Sequence, residues 1–420
     1  MMETYSEKML RALEEEDLAQ AQLMLTKALK EDSGDVLAEL GEELLALGFL
    51  EEAKQIFEQL AVQYPENDSV YIPLAEIAIE NDEIDQAFEY LEKITKESDY
   101  YPQGLLALAD LYQVIGIPEV SEAKLKEAAS LLPDEPLIQF ALAELYFSVD
   151  RFNEAAVIYE TLSNSNIKEI SNISMQERLG TSLSMQGEFE AAIEPLENAL
   201  EEERTDDRLF QLAFTHLQLK NNEPAINYLQ ELRTINPQYQ ALYLYLGQAL
   251  QEEELLEEAQ AVLEEGIKEN PYQVELYHLA SENAYRLHDK VRSEQLLVQA
   301  LELGEKQDET LLTLSNLYLN DGKYKEVITV INQMEEEGNP YAEWNLAHAY
   351  NELEEFTHAA IHYEQAAHEL QHEPDFLKEY AFFLREEGRL EEARTLLHHY
   401  LHHEPGDMEA ASVLEDLTER

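Results

Sequence analysis

Histidine is the residue type in this chain whose spacing points most directly to chemistry. Nine of the 12 histidines lie between His348 and His403. His358/His362, His368/His372, His398/His402 and His399/His403 stand four residues apart, which places both rings of a pair on one helix face. Such a pair offers two imidazoles to a zinc-like ion. No His-Glu-x-x-His run accompanies them, and spacing identifies no third ligand, so no metal and no other cofactor is assigned. A response to pH near the ordinary range of the imidazole is the milder chemistry on offer.

Carboxylates are too common to be diagnostic. With 89 Asp and Glu in 420 residues, adjacent acid pairs carry no information about acid–base catalysis. Runs such as Glu252 to Glu254 and Glu335 to Glu337 lack the alternating spacing of a calcium loop. No Walker-type or dinucleotide-type glycine loop occurs, and no Gly-x-Ser-x-Gly elbow. There is no Cys, which removes thiol chemistry and fits a reducing compartment. The expectation is a protein that is not an enzyme. A metal-dependent enzyme built on the histidine-rich end is one alternative.

Charge narrows the partners. Only 28 Lys and Arg oppose the acids, for a net charge of −61. A chain so anionic repels nucleic-acid phosphates and anionic lipid, so no direct nucleic-acid or membrane partner is expected. Disorder is countered by 45% apolar residues, enough to build a core. The first residues are acidic where a secretory leader needs an apolar run, and no apolar stretch approaches the length of a membrane span. A cytoplasmic location is expected.

The elements that must position these residues are set by an internal repeat. Small or modest residues recur at Ala21, Ala53, Ala87, Ser121, Ala155, Ala192, Ala225, Ala259, Ser293, Val327, Ala359 and Ala393, mostly 34 apart. These form the second small position of each unit, and twelve residues before most of them stands the first: Gly41, Ala75, Ala109, Ala143, Gly180, Ala213, Gly247, Ser281, Ser315, Ala347 or Ala381. Small side chains at fixed intervals let two helices of a hairpin approach closely. Bulky residues four positions after the second small one, such as Phe57, Tyr159 and Leu263, fill the space between. Pro65, Pro133, Pro237, Pro271 and Pro405 each fall twelve residues past it and end the second helix.

This pattern resembles the tetratricopeptide repeat (TPR) over nearly the whole chain. The length, the acidity and the run from Asp375 to Tyr380 further resemble the YpiA-like TPR proteins of Bacillus-type bacteria. The resemblance implies an all-α, right-handed superhelical solenoid of about twelve helix hairpins, and a cytoplasmic interaction protein without catalytic residues. Residues 1–162 would form an N-terminal array and 175–406 a C-terminal array. The segment 163–174, which holds the three extra residues of the one 37-residue interval, would be a longer loop and a candidate bend. Residues 407–420 would form a capping helix. The unit from Val274 to Leu303 carries Ser281 and Ser293 in its two small positions, so less regular packing is expected there.

In TPR proteins the first helices line a concave groove, so the residue after the first small position should face a partner. That column begins with Glu42, Glu76, Asp110 and Glu144, a carboxylate ladder. Phe214 and Phe382 belong to the same column further on. Phe140, Phe147, Phe210, Tyr285, Tyr341 and Trp344 fall in neighbouring columns as aromatic anchors. Trp344 sits one residue past the usual core tryptophan position of the repeat. Acids for attraction and aromatics for grip suit a basic segment of a protein partner, with RNA polymerase or the ribosome as candidates. A peptide-sensing TPR regulator is a second alternative. The Lys-Asn-Asn-Lys-Arg clamp of chaperone-binding TPR domains is missing, since the corresponding columns carry Leu312, Asn316, Leu319 and Tyr341.

Overall fold

Apolar residues recurring every three or four positions dictate helices, and proline falls mostly at their ends. The computed structural model describes residues 3–418 and is all-α apart from one short hairpin of strands. The chain forms two compact units that divide between Leu219 and Lys220. The first holds α1 (Tyr5–Glu14), α2 (Leu18–Glu31), α3 (Gly34–Ala46), α4 (Leu50–Gln63), α5 (Tyr71–Glu80), α6 (Ile84–Leu91), α7 (Tyr101–Val114), α8 (Pro118–Leu131), α9 (Pro136–Ser148), α10 (Phe152–Asn164), α11 (Met175–Met185), α12 (Phe189–Glu202) and α13 (Asp206–Gln218). The second holds α14 (Asn222–Ile235), α15 (Ala241–Glu252), α16 (Leu256–Glu269), α17 (Val274–Arg286), α18 (Lys290–Glu302), α19 (Gln307–Asn320), α20 (Tyr324–Ile331), α21 (Pro340–Glu352), α22 (Phe356–Ala367), α23 (Pro374–Glu386), α24 (Leu390–His403) and α25 (Met408–Thr418).

Within the first unit α1 pairs with α2, and so on to α11 with α12, each pair stacking on the next. The second repeats the scheme from α15/α16 to α23/α24, with α25 packed on α24 through Ala410 and Leu417. Each is a TPR solenoid. The two small positions explain the pairing, since every residue named for them is buried. A Cβ placed on Gly247 would lie 2.3 Å from Leu263 Cδ2, and one on Gly41 2.7 Å from Phe57 Cζ. Only glycine permits so close an approach there. Ser281 and Ser293 solve the same problem differently: the Ser281 hydroxyl donates to the Ser293 carbonyl at 2.9 Å, so the less regular pair is hydrogen-bonded in the core.

The segment expected as a plain loop is more ordered. Residues Glu169–Ile170 (β1) and Ile173–Ser174 (β2) pair antiparallel around Ser171 and Asn172, both at positive φ. Asn tolerates that backbone region, as a two-residue hairpin turn requires.

Several of the scarce cations lie at the joins between neighbouring hairpins. Lys54 reaches Glu83, Arg178 reaches Glu144, Arg208 reaches Glu177, Arg286 reaches Glu254 and Lys323 reaches Glu294, partners 29 to 34 residues apart. These separations come within a few residues of one repeat length, so each bond ties a hairpin to the next.

Candidate partner-binding faces

On the first unit the ladder divides. Glu42 on α3, Glu76 on α5 and Asp110 on α7 are all solvent-exposed, and among the described residues none has an ion-pair partner. Glu42 lines a cavity of about 460 Å³ together with Glu7, Glu39 and Glu43. Glu76 is pushed above the usual carboxylate range, first by the protein closing around it and then by the charges of Asp110 and Glu42. Asp110 is raised by enclosure and by Glu80. Glu144 on α9 is different. Arg178 Nε and Nη2 donate to its two oxygens at 2.9 Å each, and the Tyr159 hydroxyl donates to Oε1. Its charge is met within the chain.

The aromatics divide too. Phe140 is 6% exposed and packs with Ala143, Tyr159 and Met175, so it belongs to the core and offers no face to a partner. Phe147 is half-buried, with the Arg178 guanidinium 4.6 Å from its ring centre. Phe210 and Phe214 on α13 stack on each other at 6.5 Å. On the second unit Phe382 is half-buried between Lys378 and Arg385.

The second unit gathers its predicted residues best. Helices α15, α17, α18 and α19 line a cavity of about 580 Å³. Leu244, Leu279, Leu297 and Leu317 contribute apolar surface, Tyr285 lies in the wall, and Glu275, Glu282 and Glu309 supply acid. His278 in the same wall bonds Thr310 Oγ1 at 2.8 Å, and burial lowers its pKa, favouring the neutral ring. Next to it, sharing Asn320, is a cavity of about 520 Å³ among α19, α21 and α23. Its lining includes Tyr341, Trp344, Asn316, His348 and Glu379. Tyr341 is 44% exposed, while Trp344 is half-buried and meets Phe376 edge-on at 5.6 Å. Gln248, Glu282, Asn316 and His348, the residues after the first small positions, all line these two cavities.

Sequence spacing missed Glu379. It accepts from the Tyr363 hydroxyl at 2.6 Å and lies 3.0 Å from His348 Nδ1. Enclosure alone would raise its pKa, but bonds from His348, Tyr363 and Trp344 win and hold it low. The Glu379 bond in turn raises His348 above its ordinary value, against the effect of burial. Neighbouring cavities thus hold one histidine biased neutral and one biased charged. The signal was hidden because the pair joins α21 to α23, 31 residues apart.

The sequence pattern of the YpiA-like, C-terminal tetratricopeptide repeats matches residues 340–407, and that of the YpiA-like tetratricopeptide repeats matches 113–167. The TPR repeat-containing protein YpiA of Bacillus subtilis (strain 168) is 34% identical over 398 residues, 94% of each chain. The chain belongs to the YpiA-like TPR family. The YpiA-like array is a protein-binding scaffold of the TPR type. Residues 6–115 also match the ARM repeat pattern of tetratricopeptide repeat protein 21. Among solved structures, this YpiA-like chain is similar to one in the APC/C hetero-tetramer Cut9–Hcn1, at TM-score 0.42 and 13% identity, covering 98% and 95% of the two chains. It is similar to YrrB, described as a TPR protein with an unusual peptide-binding site, at TM-score 0.39 and 17% identity, covering 47% and 97%. Among the described residues no helix is long and apolar enough to cross a membrane.

Proposed function

We propose that this chain is a non-catalytic adaptor whose first-helix faces capture a basic segment of a protein partner. The observation that carries the reading is the stack of Glu42, Glu76 and Asp110. Asp110 and Glu42 disfavour the charge of Glu76, and among the described residues no cation pairs with any of the three, so an incoming Lys or Arg would relieve repulsion as well as gain attraction. The acid-bearing, apolar-lined cavities of the second unit add pockets that fit the stem and head of such side chains. Surfaces of machines that handle nucleic acid, RNA polymerase and the ribosome among them, are one source of such segments in a cytoplasm. The test is affinity purification at two salt concentrations with wild type and the triple variant Glu42→Lys, Glu76→Lys, Asp110→Lys. Partners should be retained by wild type at low salt, shed at high salt and absent from the variant. An unchanged partner set in the variant refutes the proposal.

A further inference from the structure

The histidine pairs read from spacing lacked a third ligand, and the fold supplies one. His399 and His403 lie in the last two turns of α24, four residues apart. His372 comes from the turn that joins α22 to α23, far from them in sequence. Its turn is fixed on both sides: Leu370 is 3% exposed in the core, and Pro374 begins α23. One ligand-capable nitrogen from each of the three rings lies within 4.8 Å of the others. The rings of His372 and His399 are 5.8 Å apart at 77°, and those of His399 and His403 5.3 Å apart at 57°, so the rings are not stacked. Tetrahedral zinc with bonds of about 2.0–2.1 Å wants ligand atoms roughly 3.4 Å apart, a closure of order 1 Å that side-chain rotation supplies. His372 and His403 are exposed and His399 half-buried, so the group is reachable from solvent.

We infer that His372, His399 and His403 form a binding site for one divalent transition-metal ion of the zinc class, leaving a fourth coordination position open. Three neutral imidazoles select borderline ions such as Zn²⁺ over the hard, oxygen-seeking Mg²⁺ and Ca²⁺. The end of α24 favours it further, because its final carbonyls point negative charge toward a cation. Bound metal clips the turn before α23 to the end of α24, so it stabilises the fold that holds it.

The site differs from an ordinary surface pair in needing His372, and that difference decides the test. Untagged full-length protein is titrated with Zn²⁺ in a calorimeter, and with Co²⁺ in a spectrophotometer to read the tetrahedral ligand-field band. Wild type should bind one Zn²⁺ per chain, show the band and melt at a higher temperature with metal. His372→Gln and His399→Gln should each weaken binding by about tenfold or more and abolish the band. The double variant His398→Gln, His402→Gln, which removes the other pair on α24, should bind like wild type. No stoichiometric Zn²⁺ binding by wild type overturns the inference. So does a His372→Gln protein that binds as tightly as wild type, since two histidines on one helix would then explain the affinity.

Discussion

Removing the Glu379 carboxylate tests the charged side of the cavity that it lines with His348 and Trp344. Tyr363 is fully buried and its hydroxyl donates to Glu379. In Glu379→Ala that hydroxyl keeps no acceptor, at about 1–3 kcal/mol, and His348 loses its charged partner, at roughly 1 kcal/mol more. Glu379→Gln retains an acceptor for Tyr363 and loses only the charge. For a unit near 200 residues, 1 kcal/mol corresponds to about 2–4 °C, so Glu379→Ala should melt about 4–16 °C lower and Glu379→Gln about 2–4 °C lower. Trp344 is the lone tryptophan and lines the same cavity, so its fluorescence reports melting at this place rather than an average over the array. The pH dependence has a fixed sign. His348 is raised above its ordinary 6.5, so its contribution is complete below that value and fades as pH rises through the raised one. The gap between wild type and Glu379→Gln should therefore be wider at about pH 6 than at about pH 9. If Ala and Gln variants melt alike, or the gap ignores pH, the network does not act as described.

Three further outcomes follow from the same structure. Gly247→Ala gains about 1 kcal/mol of helix propensity but overpacks against Leu263 by about 1–3 kcal/mol, so denaturant melts should show a small net loss, and Gly247→Val a larger one. Gly48→Ala meets no neighbour, yet its φ of 82° should still make it less stable by about 1 kcal/mol. Glu76→Gln should stabilise the first unit at neutral pH. Glu76 is raised in the fold, so its destabilising charge disappears as pH falls through the raised value, and the variant's advantage should vanish near pH 4.5.

The repeat lattice was legible because it is one-dimensional. A hairpin needs small residues at fixed offsets, and from Ala21 to Ala393 every such position is buried where the spacing placed it. The same regularity puts the residues after the first small positions on a shared side, and Gln248, Glu282, Asn316 and His348 all line cavities. What escaped depends on two repeats at once. Phe140 shares a column with Phe210 and Trp344, but Met175 from the next hairpin helps bury it. Glu144 reads as a fourth free acid until Arg178, 34 residues on, closes over it. His372 and Glu379 gain their partners from other helices, which no single-helix spacing reveals. The β1–β2 turn was written locally, in Ser171-Asn172 between isoleucines, and its polar character hid it within an apparent loop.

The cations at the joins make ionic strength a mechanical variable. A coil of like charges extends under its own repulsion, and each Lys or Arg bridging one hairpin to the next acts as a clip against that extension. Added salt weakens the repulsion and the exposed clips together, through the same screening length. Clips in protected settings, such as Arg208 with its 9% exposed side chain, lose least. Within each unit the stiffness should therefore be uneven, softer where a clip is exposed and firmer where it is sheltered. Stretching single molecules at two ionic strengths should map that graded spring, hairpin by hairpin.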